Sequence, residues 1–267
     1  MLPDNTRLTD AALWRMALRV DTNGLTALLY NTADNAERDV RSFRFDPAGG
    51  RRLDLLTATI YDNPLLLSDF GRVSIVVTTP YMALIPSAAA DMAARILGAD
   101  ADDDAVIVNN LRVEGTKLAM KLPREEVSFI RRTFPDADIR HRLAVLIDYF
   151  GARFTAGGNG RRLYAIVNAD SVDIVVMDRR SLVHAVSHDI SSPMDAAYFI
   201  MALFQQSGMD AMNDEMFVGG STSGRNEVME TLRTYVNHVM PVIIPGSVSH
   251  PAVSDLHFDL QILPLCE

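Results

Sequence analysis

Apolar residues in the first part of the chain come in short runs divided by polar turns. Leu13 to Val20 alternates and predicts a strand. Asp21-Thr22-Asn23-Gly24 follows. An Asn-Gly pair predicts a two-residue hairpin, because both positions tolerate positive φ. Leu25 to Tyr30 is then the returning strand. Val40 to Phe45 alternates with Phe43 and Phe45 on one face and predicts a third strand. Leu53 to Tyr61 predicts an amphipathic helix that stops near Asn63-Pro64. Val73 to Val77 is β-branched and predicts a buried strand. Pro80 to Pro86 continues extended, and Ala88 to Leu97 is Ala-rich and helical.

The next stretch differs. Ala105 to Asn109 and Lys117 to Leu122 predict two strands joined through Glu114-Gly115. Pro123 opens a helix to Arg132, with Glu125 and Glu126 in its first turn, where they favour the dipole. Ile139 to Phe154 is one long amphipathic stretch whose stripe is Leu143, Leu146, Ile147 and Phe150. Thr155 to Gly160 is Gly-rich and marks the expected domain boundary.

Beyond it the opening pattern recurs. Leu163 to Val167, Val172 to Met177 and Leu182 to Val186 predict three strands, with Asn168-Ala169-Asp170 as the first turn. Ser192 is the expected N-cap of a helix with Pro193 at its first position, ending at Gly208. Glu215 to Val218 predicts a strand ending in Gly219-Gly220. A helix over Arg225 to Val239 and a terminal strand over His257 to Leu263 complete the reading. The expected architecture is mixed α/β and duplicated, with mixed sheets flanked by helices. The first half covers residues 1–154, with a small α+β subdomain inserted at about 100–138, and the second covers 160–267.

Composition narrows the function classes. The chain of 267 residues carries 25 Lys and Arg against 34 Asp and Glu, a net charge of −9. That balance argues against a nucleic-acid binder, which carries a basic stripe. The single cysteine, Cys266, cannot form an internal disulfide or a cysteine-based zinc site. No apolar run approaches the ~20 residues of a membrane span, and Met1 to Asn5 lacks the basic start of a signal peptide. A cytoplasmic protein without membrane insertion is expected. Four of the five residues from Asp100 to Asp104 are Asp. They lack the ordered spacing of a calcium loop, so a solvated turn is expected there.

The order of elements resembles the ribonuclease-H-like unit, duplicated as in actin and the heat-shock chaperone ATPases. Met216-Phe217-Val218-Gly219-Gly220-Ser221-Thr222 resembles the adenosine-binding strand and turn of those ATPases. Three segments together are similar to an uncharacterised bacterial family of the actin-like ATPase superfamily, a domain of unknown function common in Bacteroidetes-type bacteria. They are Pro80 to Pro86, Ile139-Arg140-His141, and the block from Asp195 to Gly220.

The resemblance implies where a nucleotide would sit. Such ATPases cradle phosphates in two hairpin turns, whose glycines let backbone N–H groups approach the phosphate oxygens. An Asp holds a Mg²⁺-bound water. Asp21, Asn23 and Gly24 are the candidates in the first turn, although the family's Asp-x-Gly places glycine where Asn23 stands. Asp170 is the candidate in the second turn, which has no glycine. Gly219, Gly220 and Ser221 are the candidates beside an adenosine. The expectation is a catalytically inactive pseudo-ATPase scaffold acting on a protein partner or as a homodimer, with no catalytic or metal residues and no cofactor. The alternative is an ATPase or phosphotransferase that binds Mg·ATP in the cleft between the halves.

Overall fold

The computed structural model describes residues 8, 10–34, 37–46, 48–153, 160–220, 222–246, 253 and 256–266. The chain divides into two units, residues 1–109, 117–142 and 246–254 in the first and 110–116, 143–245 and 255–267 in the second.

In the first unit, Trp14–Val20 (β1) pairs antiparallel with Gly24–Asn31 (β2), and β2 with Arg38–Arg44 (β3). Helix Arg52–Tyr61 (α1) leads to Arg72–Val77 (β4), parallel to β1. Four elements follow: Met82–Pro86 (β5), Ala93–Ile96 (α2), Asp104–Asn110 (β6) and Thr116–Pro123 (β7). These strands form a separate sheet in the order β5-β7-β6. It therefore draws a strand from upstream of residue 100. Helix Arg124–Thr133 (α3) returns the chain to Asp138–His141 (β8), parallel to β4.

The second unit repeats this plan without the inserted sheet. Helix Arg142–Ala152 (α4) precedes Arg161–Val167 (β9), Ser171–Asp178 (β10) and Ser181–Asp189 (β11), an antiparallel meander. Pro193–Gln206 (α5), Glu215–Gly220 (β12), Thr222–Leu232 (α6) and His238–Pro241 (β13) follow, with β12 parallel to both β9 and β13. Phe258–Ile262 (α7) lies near the end. The sheet orders β3-β2-β1-β4-β8 and β11-β10-β9-β12-β13 are the same topology with the same directions. The fold is thus a ribonuclease-H-like unit present twice.

The core explains the sequence pattern. One face of the second sheet presents Leu163, Ala165, Val167, Ile174 and Met216 to α5 and α6, which contribute Ile200, Phe204, Val228 and Leu232. Residues on the other face are buried as well, so β9 and β10 read as nearly unbroken apolar runs. Helix α5 starts as expected. Ser192 Oγ accepts from Asp195 N, and Asp195 accepts from Ser192 N, closing a capping box with Pro193 at the first helical position.

Four sequence expectations are corrected. The amphipathic stretch that starts at Ile139 is not a single element, because Asp138–His141 fills the strand slot beside β4 and the helix begins at Arg142. His141 is held there by Asn109 Oδ1, which accepts from its N–H at 2.9 Å, and by Thr79 O, 3.0 Å from Nε2. The helix expected to Val239 ends at Leu232, and His238–Pro241 supplies the fifth strand. Thr234, Tyr235 and Val236, β-branched or aromatic, carry little helix propensity across that break. His257 to Leu263 is helical where period-two alternation predicts a strand. Asp259 is buried alongside Phe258, Leu260 and Ile262, and over so short a run the two periods cannot be separated. Lastly, neither Asn23 nor Gly24 has a positive φ.

Helices α1 and α3 share a buried ion pair with a pH signature. Glu126, 6% exposed, meets Arg52 at 3.2 Å. Burial pushes the Glu126 carboxyl above the usual carboxylate range, opposed by Arg52 and reinforced by Glu125. A carboxyl that holds its proton more tightly when folded favours the native state at low pH. That advantage disappears as pH rises from about 4.3 through the raised value. Relative to the natural chain, Glu126→Gln is expected to gain stability as pH rises across this window. Urea unfolding at stepped pH values tests this, and a stability difference that stays flat with pH contradicts it.

Candidate functional site

The three turns singled out in the sequence are each tied into the fold by their own contacts. In the first unit, residues 21–23 form the loop between β1 and β2, closed by Asp21 N donating to Gly24 O at 3.1 Å. Asp21 is already engaged: Oδ2 accepts from Arg19 Nη1 at 2.7 Å, and Oδ1 accepts from Asn23 N at 3.0 Å. The Arg19 side chain is only 4% exposed, so the fold supplies this carboxylate with a buried cation of its own. Gly24 is needed for a reason the sequence does not reveal. A Cβ there would lie 2.3 Å from the carbonyl oxygen of Phe43, on the paired strand β3.

In the second unit the β9–β10 turn is a tight two-residue hairpin in which Asn168 N donates to Ser171 O at 2.8 Å. Asp170 is exposed, and its Oδ1 accepts from Ser171 Oγ at 3.3 Å. Asn168 Nδ2 donates to the buried Asp173 at 3.0 Å. These side chains fasten the turn to itself.

Gly219 and Gly220 end β12 as expected, while Ser221 lies outside the described residues. Gly219 is buried, and a Cβ would meet Ile166 Cδ1 at 2.8 Å and Val242 Cβ at 3.1 Å. Gly220 has φ +106°, and a Cβ would fall 1.9 Å from Val167 O. Only glycine adopts that backbone freely. Gly220 is therefore required by the backbone of β9, while Gly219 is crowded by the side chains of Ile166 and Val242, whatever else they meet.

The acidic loop at Asp100 to Asp104 is occupied by side chains of the same unit. Arg124 donates to Ala101 O at 2.6 Å, Asp104 O at 3.0 Å and Asp102 O at 3.2 Å. Lys121 Nζ meets Asp104 Oδ2 at 3.0 Å. The Asp104 carboxyl lies below its usual range through the hydrogen bond from Asp100 N and then that lysine. Among the described residues no three His, Cys, Asp or Glu side chains are placed to hold a metal.

Sequence reasoning missed an aromatic wall in the second unit. Phe150 of α4 stacks on Tyr164 of β9 at 4.1 Å between centroids, and Tyr164 stacks on Phe217 of β12 at 5.2 Å. Phe258 of α7 lies over Phe150 at 6.0 Å. Tyr164 and Phe217 are register partners in the parallel β9–β12 pair. Beside them is a cavity of about 240 Å³ lined by Tyr149, Arg153, Arg162, Pro241, Val242 and Ile243 together with the two rings. Arg162 is paired with Glu215 at 2.6 Å and lies 5.9 Å from the Phe217 ring. Burial raises the Tyr164 phenol above its usual range, with Arg162 working against the shift. The aromatic residues were visible as strand and helix positions, but their alignment depends on a register that no local signal sets.

Residues 3–239 match a family described as protein of unknown function (DUF3822). The chain belongs to this family. Among solved structures, a Bacteroides thetaiotaomicron protein with an actin-like ATPase fold and unknown function is similar at TM-score 0.80 and 20% identity. That match covers 97% of this chain and 98% of the other. A PilM-PilN type IV pilus biogenesis complex is similar at TM-score 0.52 and 10% identity, covering 94% and 98%. At these identities the likeness establishes the fold, an actin-like ATPase fold, which this member of the family shares. No curated protein matches the chain. Among the described residues no helix is long and apolar enough to cross a membrane.

Proposed function

We propose that this family member is a pseudo-ATPase, an actin-like scaffold that acts by binding another protein or a second copy of itself and does not turn over nucleotide. The observation that carries the reading is the state of Asp21. A carboxylate that orients a Mg²⁺-bound water has about four acceptor sites, and neighbours that engage both of its oxygens compete with that water. Here one oxygen accepts from the nearly buried Arg19 and the other closes its own turn. The lack of glycine in the Asn168 to Ser171 turn and the filling of the space at Gly219 by Ile166 and Val242 point the same way. The PilM-PilN complex offers a fold-level analogy for a protein partner. Met194 and Tyr198, four apart on α5, are 58% and 68% exposed and give the second unit an apolar surface for one.

The test is calorimetric titration of the full chain with Mg·ATP, beside a hydrolysis assay. No saturable heat is expected at about 1 mM nucleotide, a concentration that reveals affinities near −4 kcal/mol. Mg²⁺-dependent hydrolysis that disappears in Asp21→Asn would overturn the reading and favour the ATPase alternative. Sedimentation of the natural chain beside Met194→Asp/Tyr198→Asp separates self-association from a foreign partner.

A further inference from the structure

Among the described residues the three sheets have six edge strands: β3 and β8, β11 and β13, β5 and β6. An edge presents backbone N–H and C=O groups that template pairing with another chain, unless charge, proline, shortness or cover prevents it. β3 carries four charged residues, Arg38, Asp39, Arg41 and Arg44. β8 and β13 have four residues each, and β13 ends in Pro241. β5 ends in Pro86, and β6 is tied to β8 by Asn109, whose Nδ2 donates to Ile139 O at 2.9 Å. β11 is different. It is nine residues long, has no Lys, Arg or Pro, and only Ala185 in it is buried. A bulge opposite Val176 and Met177 twists its first residues alone.

The direction of the backbone groups follows from the register. Ile190 N donates to Asp170 O at 2.9 Å, in step with the β10–β11 ladder. Bonding alternates along an antiparallel pair, so His184, Val186 and His188 bond to β10. Ala185 between them turns its N–H and C=O outward. The strand is also supported from one face, where the His188 ring stacks on Phe199 of α5 at 4.3 Å.

Charge names the occupant. Arg179 and Arg180 form the turn before β11, and Asp189 closes the strand. All three are exposed and have no ion pair among the described residues. Two copies of β11 laid antiparallel about a two-fold axis at Ala185 set each Arg179-Arg180 turn against the other copy's Asp189. The bulge moves this match by one residue. A parallel pair would bring arginine to arginine and aspartate to aspartate. The edge is thus complementary to itself, and only in the antiparallel sense.

We infer that the protein forms a two-fold dimer in which β11 pairs with β11 of a second copy, joining two five-stranded sheets into one of ten strands. At the axis each Ala185 N–H donates to the other copy's Ala185 O, and the charged ends fix the register. The inference rests on the scaffold reading, whose partner it names, and it uses the second unit alone.

Sedimentation equilibrium of the full chain between about 5 and 200 µM tests it, and a reversible monomer–dimer equilibrium is expected in that range. Asp189→Arg and Arg180→Glu, both at exposed positions, each set like charge against like. Each should weaken self-association at least about tenfold. An equimolar mixture of the two variants should restore it, because every facing pair is then opposite in sign. Amide hydrogen exchange at Ala185 should slow as the concentration of the natural chain rises. A chain that stays monomeric at about 200 µM overturns the inference. So does a dimer unchanged in both variants, or a mixture that associates no better than either variant alone. A dimer lost only in Met194→Asp/Tyr198→Asp places the contact on α5 and overturns it as well. Circular dichroism confirms that the variants are folded. All these measurements are made without nucleotide, so failure here leaves the Mg·ATP result standing, and hydrolysis there is a separate outcome.

Discussion

Gly220→Ala is expected to destabilise the protein by more than about 3 kcal/mol, among the largest effects of any single methyl group in the chain. The added carbon would sit 1.9 Å from Val167 O and 2.7 Å from Val167 C. Backbone atoms of a paired strand cannot step aside as the end of a flexible side chain can. The φ of +106° adds strain for any L side chain. Gly219→Ala should cost less, about 1–3 kcal/mol, because its nearest neighbour is the mobile tip of Ile166. Urea unfolding followed by circular dichroism measures both. If the glycines served only a ligand, both variants would melt like the natural chain and lose only nucleotide binding, and that outcome would refute the structural account.

Phe150→Ala should cost about 3–5 kcal/mol. The side chain is 1% exposed and is stacked between Tyr164 and Phe258. It bridges α4, β9 and α7, so its removal leaves a cavity walled by three separate elements. Phe150→Leu retains most of the buried volume and should recover more than half of the loss. A Phe150→Ala loss under about 1 kcal/mol would mean that the wall collapses freely around the gap.

The parts of the fold legible in the sequence are those fixed by local chemistry. Ser192-Pro193 with Asp195 announces a helix start because the capping bonds run between residues three apart. Much of the repeated succession of strands and helices was likewise visible, since most of its strands carry a recognisable apolar run. The candidate site was legible only as three turns. Whether Asp21 was available depended on the geometry of Arg19, two residues away but brought to it by the strand end. Gly24 was credited to a turn, whereas its requirement comes from the backbone of Phe43, a neighbour created by sheet pairing. The aromatic wall was invisible because Tyr164 and Phe217 are brought together by β9–β12 register. His238–Pro241 was lost to a helix for a related reason: a strand of four residues leaves little periodicity to read.

The capture of the Asp100 to Asp104 loop by Arg124 has a further consequence. An ion drawn from solution would leave when its concentration fell or a chelator arrived, and its binding would shift the folding equilibrium by mass action. A guanidinium on the same chain is present at a fixed effective concentration. The carbonyls of the loop carry their donor as part of the same covalent chain, so every folded copy holds the loop by the same three bonds.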